Sequence, residues 1–246
     1  MNMKFEDIVK RISSIIACVV VYLFVAGFYL QSKGFEYDNA TGNFILKQAY
    51  AAENEGASAE SIASNFAFPQ DHVLGNKKAQ ITLYEYSSFG CTHCADFHLE
   101  VLPKLKEKYI DTGKIKLGFV PFPLDKNSMD AALLSECVAK KGYFPFVDVL
   151  FKKQRDWMLA FDPQKVLLQY AALSGVSNEK AKACLKDDIT AARLLKDRED
   201  GLKELHIKGT PSFVLSSKKG NELISGFHDF EYFSNLIDER LENKTK

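Results

Sequence analysis

The sequence has no surplus of charge of either sign. Its 32 Lys and Arg balance 32 Asp and Glu over 246 residues, so bulk electrostatics give no reason to expect nucleic acid or an acidic lipid surface as a partner. No internal repeat is visible, which excludes a repeat array. Cysteine is scarce, at 5 residues. The stretch "SSFGCTHCADFH" contains the one C-x-x-C, Cys91 and Cys94, and no second C-x-x-C or H-x-x-x-H accompanies it. A c-type haem site needs His directly after the second cysteine, and residue 95 is Ala. A tetrahedral zinc site lacks its usual second ligand pair, although Cys91, Cys94 and His98 share one helical face and keep a three-ligand site in view. Apolar residues are plentiful: 46% of the chain is hydrophobic, with 19 Phe and 10 Tyr beside a single Trp. That suffices for one good-sized domain or a domain with an insertion.

Lys10 and Arg11 precede an apolar run from Ile12 to Leu30, the pattern of an export signal. Its length, at about 1.5 Å per residue, comes close to the ~30 Å apolar core of a bilayer. Residues 1–30 therefore read as a signal peptide or a membrane anchor, with the basic end inside and the remainder exported to the periplasm. Cys18 lies within this run and reads as a small hydrophobe. Residues 31–68, with "AAENEGASAESIASN", have too few branched apolar residues to bury much and read as a flexible tether.

Order is expected from near Phe68. "AQITLYEYSSF" is a strand with apolar residues at both parities, as when both faces are covered. "GCTHCADFHLEVLPKLKEKY" is helical by period, with Phe97, Val101, Leu105 and Tyr109 on one stripe and Pro103 as a kink or new start. "GKIKLGFVPF" is the next strand, which completes a βαβ unit. A helical block follows: "NSMDAALLSECVAKKG" stopping at Gly142, "DPQKVLLQYAALSG", "SNEKAKACLKD" and "ITAARLLKDREDGLKEL". Two strands, "PSFVLSS" and "ELISGF", and a last helix close the chain. The fold class is α/β. A split domain at 69–125 and 206–246 forms one sheet, and 126–205 is a helical insertion.

A C-x-x-C that follows a strand and opens a helix inside a βαβ unit is the context of a redox site. Unpaired N–H groups and the helix dipole favour negative charge on Cys91, and His93 can add positive charge or a hydrogen bond. The thiolate is the species that attacks or leaves in disulfide exchange.

"VLGNKKAQITLYEYSSFGCTHC", "FPLD", "IKGTPSFVL" and the later "SGF" together resemble the DsbA family of thiol:disulfide oxidoreductases, in the thioredoxin superfamily, over about residues 70–245. The resemblance implies a thioredoxin-like fold with an inserted helical domain. It implies Cys91 as nucleophile, Cys94 as the deeper resolving cysteine and Pro211 as a cis-proline that turns Thr210 toward substrate. Glu85, where the family has an acidic residue, becomes a proton acceptor for Cys94, unless it reaches solvent at a sheet edge. No cofactor is implied beyond the Cys91–Cys94 disulfide, and no metal. Thr-His between the cysteines and Thr before Pro211 depart from the Pro-His and Val of strongly oxidising members. They leave oxidising strength and the recycling partner open.

Cys137 and Cys184 lie on apolar stripes of separate helices and resemble the second cysteine pair of alphaproteobacterial members. In an exported protein a structural bond is expected rather than two buried thiols. Its loop of roughly 48 residues would contribute roughly 2–4 kcal/mol. His72, His98, His206 and His228 read as surface or helix-end residues. The resulting expectation is an exported enzyme that oxidises dithiols of reduced envelope proteins and is reoxidised by a membrane partner. The alternatives are a reductase or isomerase of the same fold, and an anchored, non-catalytic binding module whose C-x-x-C is a staple or a zinc site.

Overall fold

The computed structural model describes residues 66–242, together with strand backbone at 35–38, 43–46 and 61–62. The signal peptide or anchor expected at residues 1–30, and most of the tether, lie outside the described residues. Two units are present, divided at Ser58 and Ala59. In the first, β1 (Phe35–Asp38) pairs antiparallel with β2 (Asn43–Leu46).

The second unit is built on a six-stranded sheet of order β3-β8-β7-β5-β6-β4. Its strands are β3 (Ser61–Ile62), β4 (Val73–Gly75), β5 (Ile81–Ser87), β6 (Ile115–Pro121), β7 (Ser212–Ser217) and β8 (Gly220–Ser225). Ser61–Ile62, inside the stretch read as a tether, adds to the edge strand β8. β5 runs parallel to β6 and antiparallel to β7, so one sheet joins the two halves of the chain.

Every residue of β5 is buried, because both faces are covered. Ile81 and Leu83 pack with Phe97, Val101, Leu105 and Tyr109 on one side. Tyr84 and Tyr86 pack with Val120, Phe122 and Ile207 on the other. Burying each large apolar side chain contributes roughly 1.5–3 kcal/mol, which fixes the strand's register against slippage.

The Phe97–Tyr109 stripe belongs to a helical rod. It opens as α1 (Thr92–Asp96), passes through a π-helical turn (Phe97–Val101) into α2 (Leu102–Leu105), and ends in a second π-helical turn (Lys106–Ile110). Pro103 sits in the first turn of α2, where its missing N–H costs no hydrogen bond.

The insertion carries α3 (Lys126–Cys137), α4 (Tyr143–Lys152), α5 (Gln154–Met158), α6 (Pro163–Leu173), α7 (Asn178–Cys184) and α8 (Asp188–Glu204). Side-chain caps from Asp125, Asp162, Ser177 and Asp187 start four of them. Two boundaries depart from the sequence reading. α3 stops at Cys137, where Val138 turns extended, and Gly142 instead begins α4. Cys137 and Cys184 are joined by a disulfide, with Cα atoms 6.2 Å apart. The last helix is α9 (Phe230–Glu242).

Candidate active site

The C-terminal end of β5 leads through Ser88, Phe89 and Gly90 to Cys91, the N-cap of α1. The Cys91 N–H donates to the Ser88 carbonyl at 3.0 Å, which closes the turn. Gly90 is required here: a Cβ on it would lie 2.6 Å from Ser128 Oγ and 3.2 Å from Asp125 Oδ2. From the insertion, buried Gln154 donates through Nε2 to the carbonyls of Phe89 at 2.7 Å and Cys91 at 2.8 Å. The turn is thus held from the sheet on one side and from α5 on the other.

Cys91 is half-buried and Cys94, one helical turn on, is buried; both are free thiols. The Thr210–Pro211 peptide bond is cis, and the Thr210 carbonyl accepts from Cys91 Sγ at 3.2 Å. The Pro211 carbonyl accepts from the Gly226 N–H at 2.9 Å, which ties this loop to the end of β8.

The environment separates the two sulfurs. The Cys91 thiol is lowered to about 6, chiefly by a hydrogen bond from the Cys94 thiol, with help from the backbone N–H groups of Cys94 and His93, against the opposing effect of burial. Cys94 is pushed far up, first by burial, then by its bond to Cys91, and further by the negative charges of Cys91 and Glu85. One sulfur is held ready to ionise and the other is kept protonated, the division of labour that thiol–disulfide exchange uses.

His93 contributes its backbone N–H. Its imidazole is exposed and lies 3.4 Å from Asp96 Oδ2, not on Cys91. Glu85 is fully buried on β5, an interior strand, so the sheet-edge alternative is wrong. His98 is also buried, contrary to the surface position expected for it: its Nε2 lies 3.1 and 3.0 Å from the two Glu85 oxygens. That pairing occupies Nε2. Among the described residues no cluster of three or more His, Cys, Asp or Glu is placed to hold a metal ion. Cys91, Cys94, Glu85, Thr210 and Pro211 come together; Cys137 and Cys184 stand apart as their own bond within the insertion.

A family model described as thioredoxin matches residues 67–239. A protein of Rickettsia typhi named for protein-disulfide oxidoreductase activity is 32% identical over 211 residues, which covers 85% of this chain and 76% of that one. The chain spans 57% to 63% of the length of four other Rickettsia relatives. Among solved structures, alpha-DsbA1 of Wolbachia pipientis superposes with a TM-score of 0.64 at 33% identity, covering 71% of this chain and 92% of that one. The chain belongs to the DsbA family. BdbD of Bacillus subtilis, in its oxidised form, is more distant, at 26% identity and a TM-score of 0.62, covering 74% of this chain and all 100% of that one. Membership makes this DsbA-family chain a protein-disulfide oxidoreductase of thioredoxin-like fold. The family exchanges disulfides with substrate proteins and depends on a reoxidising partner.

Two contributors to the DsbA-family site carry no motif. Gln154 bonds backbone carbonyls, and His98 bonds a strand residue. The only sequence signal for either was the face that His98 shares with Cys94.

Proposed function

We propose that this protein is an exported oxidase that introduces disulfides into reduced envelope proteins through Cys91 and Cys94. Cys91 is the nucleophile, and in the disulfide form it is the sulfur that a client thiolate attacks. The client–Cys91 mixed disulfide forms as Cys94 leaves. The client's second thiolate then displaces Cys91, which departs as a thiolate. The observation that carries this reading is the pair of opposed acidities, Cys91 lowered to about 6 and Cys94 raised. A stabilised leaving thiolate favours the reduced enzyme and so drives electrons from client to enzyme.

Thr210 and Pro211 form the substrate-facing rim, where an extended client chain pairs with the backbone beside Cys91. Glu85 acts as proton acceptor for Cys94, and the Cys137–Cys184 bond is structural. Residues 1–30 act as the export signal or anchor, which brings the protein to the periplasm beside a membrane reoxidation partner. The ranges 69–125 with 206–246 and 126–205 act as redox domain and insertion.

Equilibration of the purified protein against glutathione buffers tests the direction. A potential well above the thioredoxin value of about −270 mV supports an oxidase, and a value near it supports the reductase. A Cys91→Ser variant that still oxidises dithiols would overturn the assignment of the nucleophile.

A further inference from the structure

Three large apolar side chains stand in solvent on segments that converge on Gly90, the residue before Cys91. Leu124 is 51% exposed, Leu159 77% and Phe161 107%. Leu124 precedes Asp125, whose Oδ2 lies 3.2 Å from the position a Cβ on Gly90 would take. Leu159 follows Met158, whose Cε lies 3.3 Å from the same position. Cys91 and Met158 pack against one core cluster. The loop from Leu159 to Asp162 is pinned at both ends. Before it, Trp157 is fully buried and its indole N–H donates to the Leu150 carbonyl at 2.9 Å. At its end, Asp162 Oδ1 accepts from the Lys165 N–H at 3.0 Å and caps α6. A single exposed Leu or Phe needs no explanation. Several of them gathered beside a reactive turn mark a surface that something apolar covers.

We infer that Leu159 and Phe161, together with Leu124, dock apolar side chains of an unfolded client chain on the insertion's side of the active-site turn. The inference rests on exchange with substrate proteins at Cys91 and adds which of their side chains are recognised. A client must bring a cysteine to Cys91. In an extended chain the side chains two to four positions from that cysteine lie about 7–13 Å from it. The patch adjoins the same turn, so it continues the surface that exchange already requires. A bilayer fits less well. Over 124–130 and 153–165, Lys126, Lys153, Arg155 and Lys165 are matched one for one by Asp125, Asp130, Asp156 and Asp162. Lys126 and Lys153 are bonded to Asp130 and Asp156 at 2.6 and 3.2 Å. An element that lies on an anionic membrane carries an excess of Lys and Arg instead.

The chemistry of exchange is unchanged by docking. The client thiolate attacks Cys91 Sγ, the bond from client sulfur to Cys91 forms, the Cys91–Cys94 bond breaks, and Cys94 departs with the electron pair. Docking holds the client's cysteine beside Cys91. It therefore speeds mixed-disulfide formation for clients with Leu or Phe near the cysteine, and it leaves a thiol without apolar neighbours unaffected.

The test uses the full chain with Cys91 and Cys94 oxidised, and three thiol substrates. Two are reduced two-cysteine peptides of one length, the first with Leu and Phe beside its cysteines and the second with Ser in their place. The third is reduced glutathione. The wild type should oxidise the apolar peptide at least about tenfold faster than the Ser peptide. Leu159→Ser with Phe161→Ser should bring the apolar peptide down to the rate of the Ser peptide. The glutathione rate and the pH profile of Cys91 alkylation should stay at their wild-type values. Equal rates for the two peptides with the wild type, or a preference that survives in the double variant, would overturn the docking surface. Binding to phosphatidylglycerol vesicles that the double variant loses while its peptide rates stay unchanged would overturn it too, and would assign the patch to a bilayer. Should the double variant not fold, a cysteine-free copy of the apolar peptide decides with the wild type. It should slow oxidation of the apolar peptide and leave that of glutathione alone, and no slowing would overturn the proposal. If the wild type reacts with none of the three thiols, the exchange reading itself falls; if it reacts without preference, only the docking surface falls.

Discussion

Cys91 Sγ lies 3.2 Å from the carbonyl oxygen of Thr210, a residue 119 positions further along the chain. A carbonyl accepts from a thiol and repels a thiolate, so this contact belongs to the protonated form alone. The backbone N–H groups of His93 and Cys94 and the thiol of Cys94 favour the opposite form. Against the opposing effect of burial, these donors hold the thiol at about 6.

This balance has a consequence for stability. Cys91 has a folded value of about 6 against an ordinary value of 9.0. A group lowered on folding contributes stability that is fully present above the ordinary value and is lost as pH falls through the folded one. Chemical denaturation of the reduced protein should therefore show stability falling between pH 9 and 6, relative to a Cys91→Ser variant. The disulfide form, which has no titrating Cys91, should not show this fall.

Gln154 is the insertion's hold on the active-site turn. Gln154→Ala removes two hydrogen bonds to backbone carbonyls and should destabilise the protein by roughly 1–3 kcal/mol in thermal or denaturant unfolding. Gln154→Glu should be worse, because a buried carboxylate would face both carbonyl oxygens.

Gly90→Ala drives a methyl group to 2.6 Å from Ser128 Oγ. Ser128 is pinned there by its bond to Asp125 Oδ2 at 3.0 Å, so overpacking should cost about 1–3 kcal/mol in unfolding experiments. Gly90→Ala combined with Ser128→Ala should recover part of the loss, although Ser128→Ala alone destabilises. That sign of coupling is what a direct clash produces.

The Cys137–Cys184 bond closes a span of 47 positions. Replacing both cysteines with Ser should lower stability by roughly 2–4 kcal/mol under oxidising conditions. Chevron analysis of the variant would locate that loss in the folding or the unfolding rate.

Much of the fold was legible in the sequence. The strand at Ile81–Ser87 declared itself by apolar residues at both parities, and the stripe Phe97, Val101, Leu105, Tyr109 by its period. Those patterns are local, and burial follows them. The end of α3 was less legible, because "VAKKG" contains good helix formers while Val138 turns extended under tertiary packing. Gly142, read as a stop, begins the next helix. Within the site, the cysteines and Pro211 had motifs. His98 and Gln154 did not, because their partners are a carboxylate 13 positions away and two backbone carbonyls 63 and 65 positions away. Contacts of that kind are made by packing and leave no spacing to read.

The central claim is that Cys91 is held as a thiolate, and ultraviolet titration of the reduced protein, with Cys91→Ser as the blank, tests it most directly. The account predicts half-ionisation near pH 6. A midpoint at the ordinary thiol value of 9.0 would contradict it.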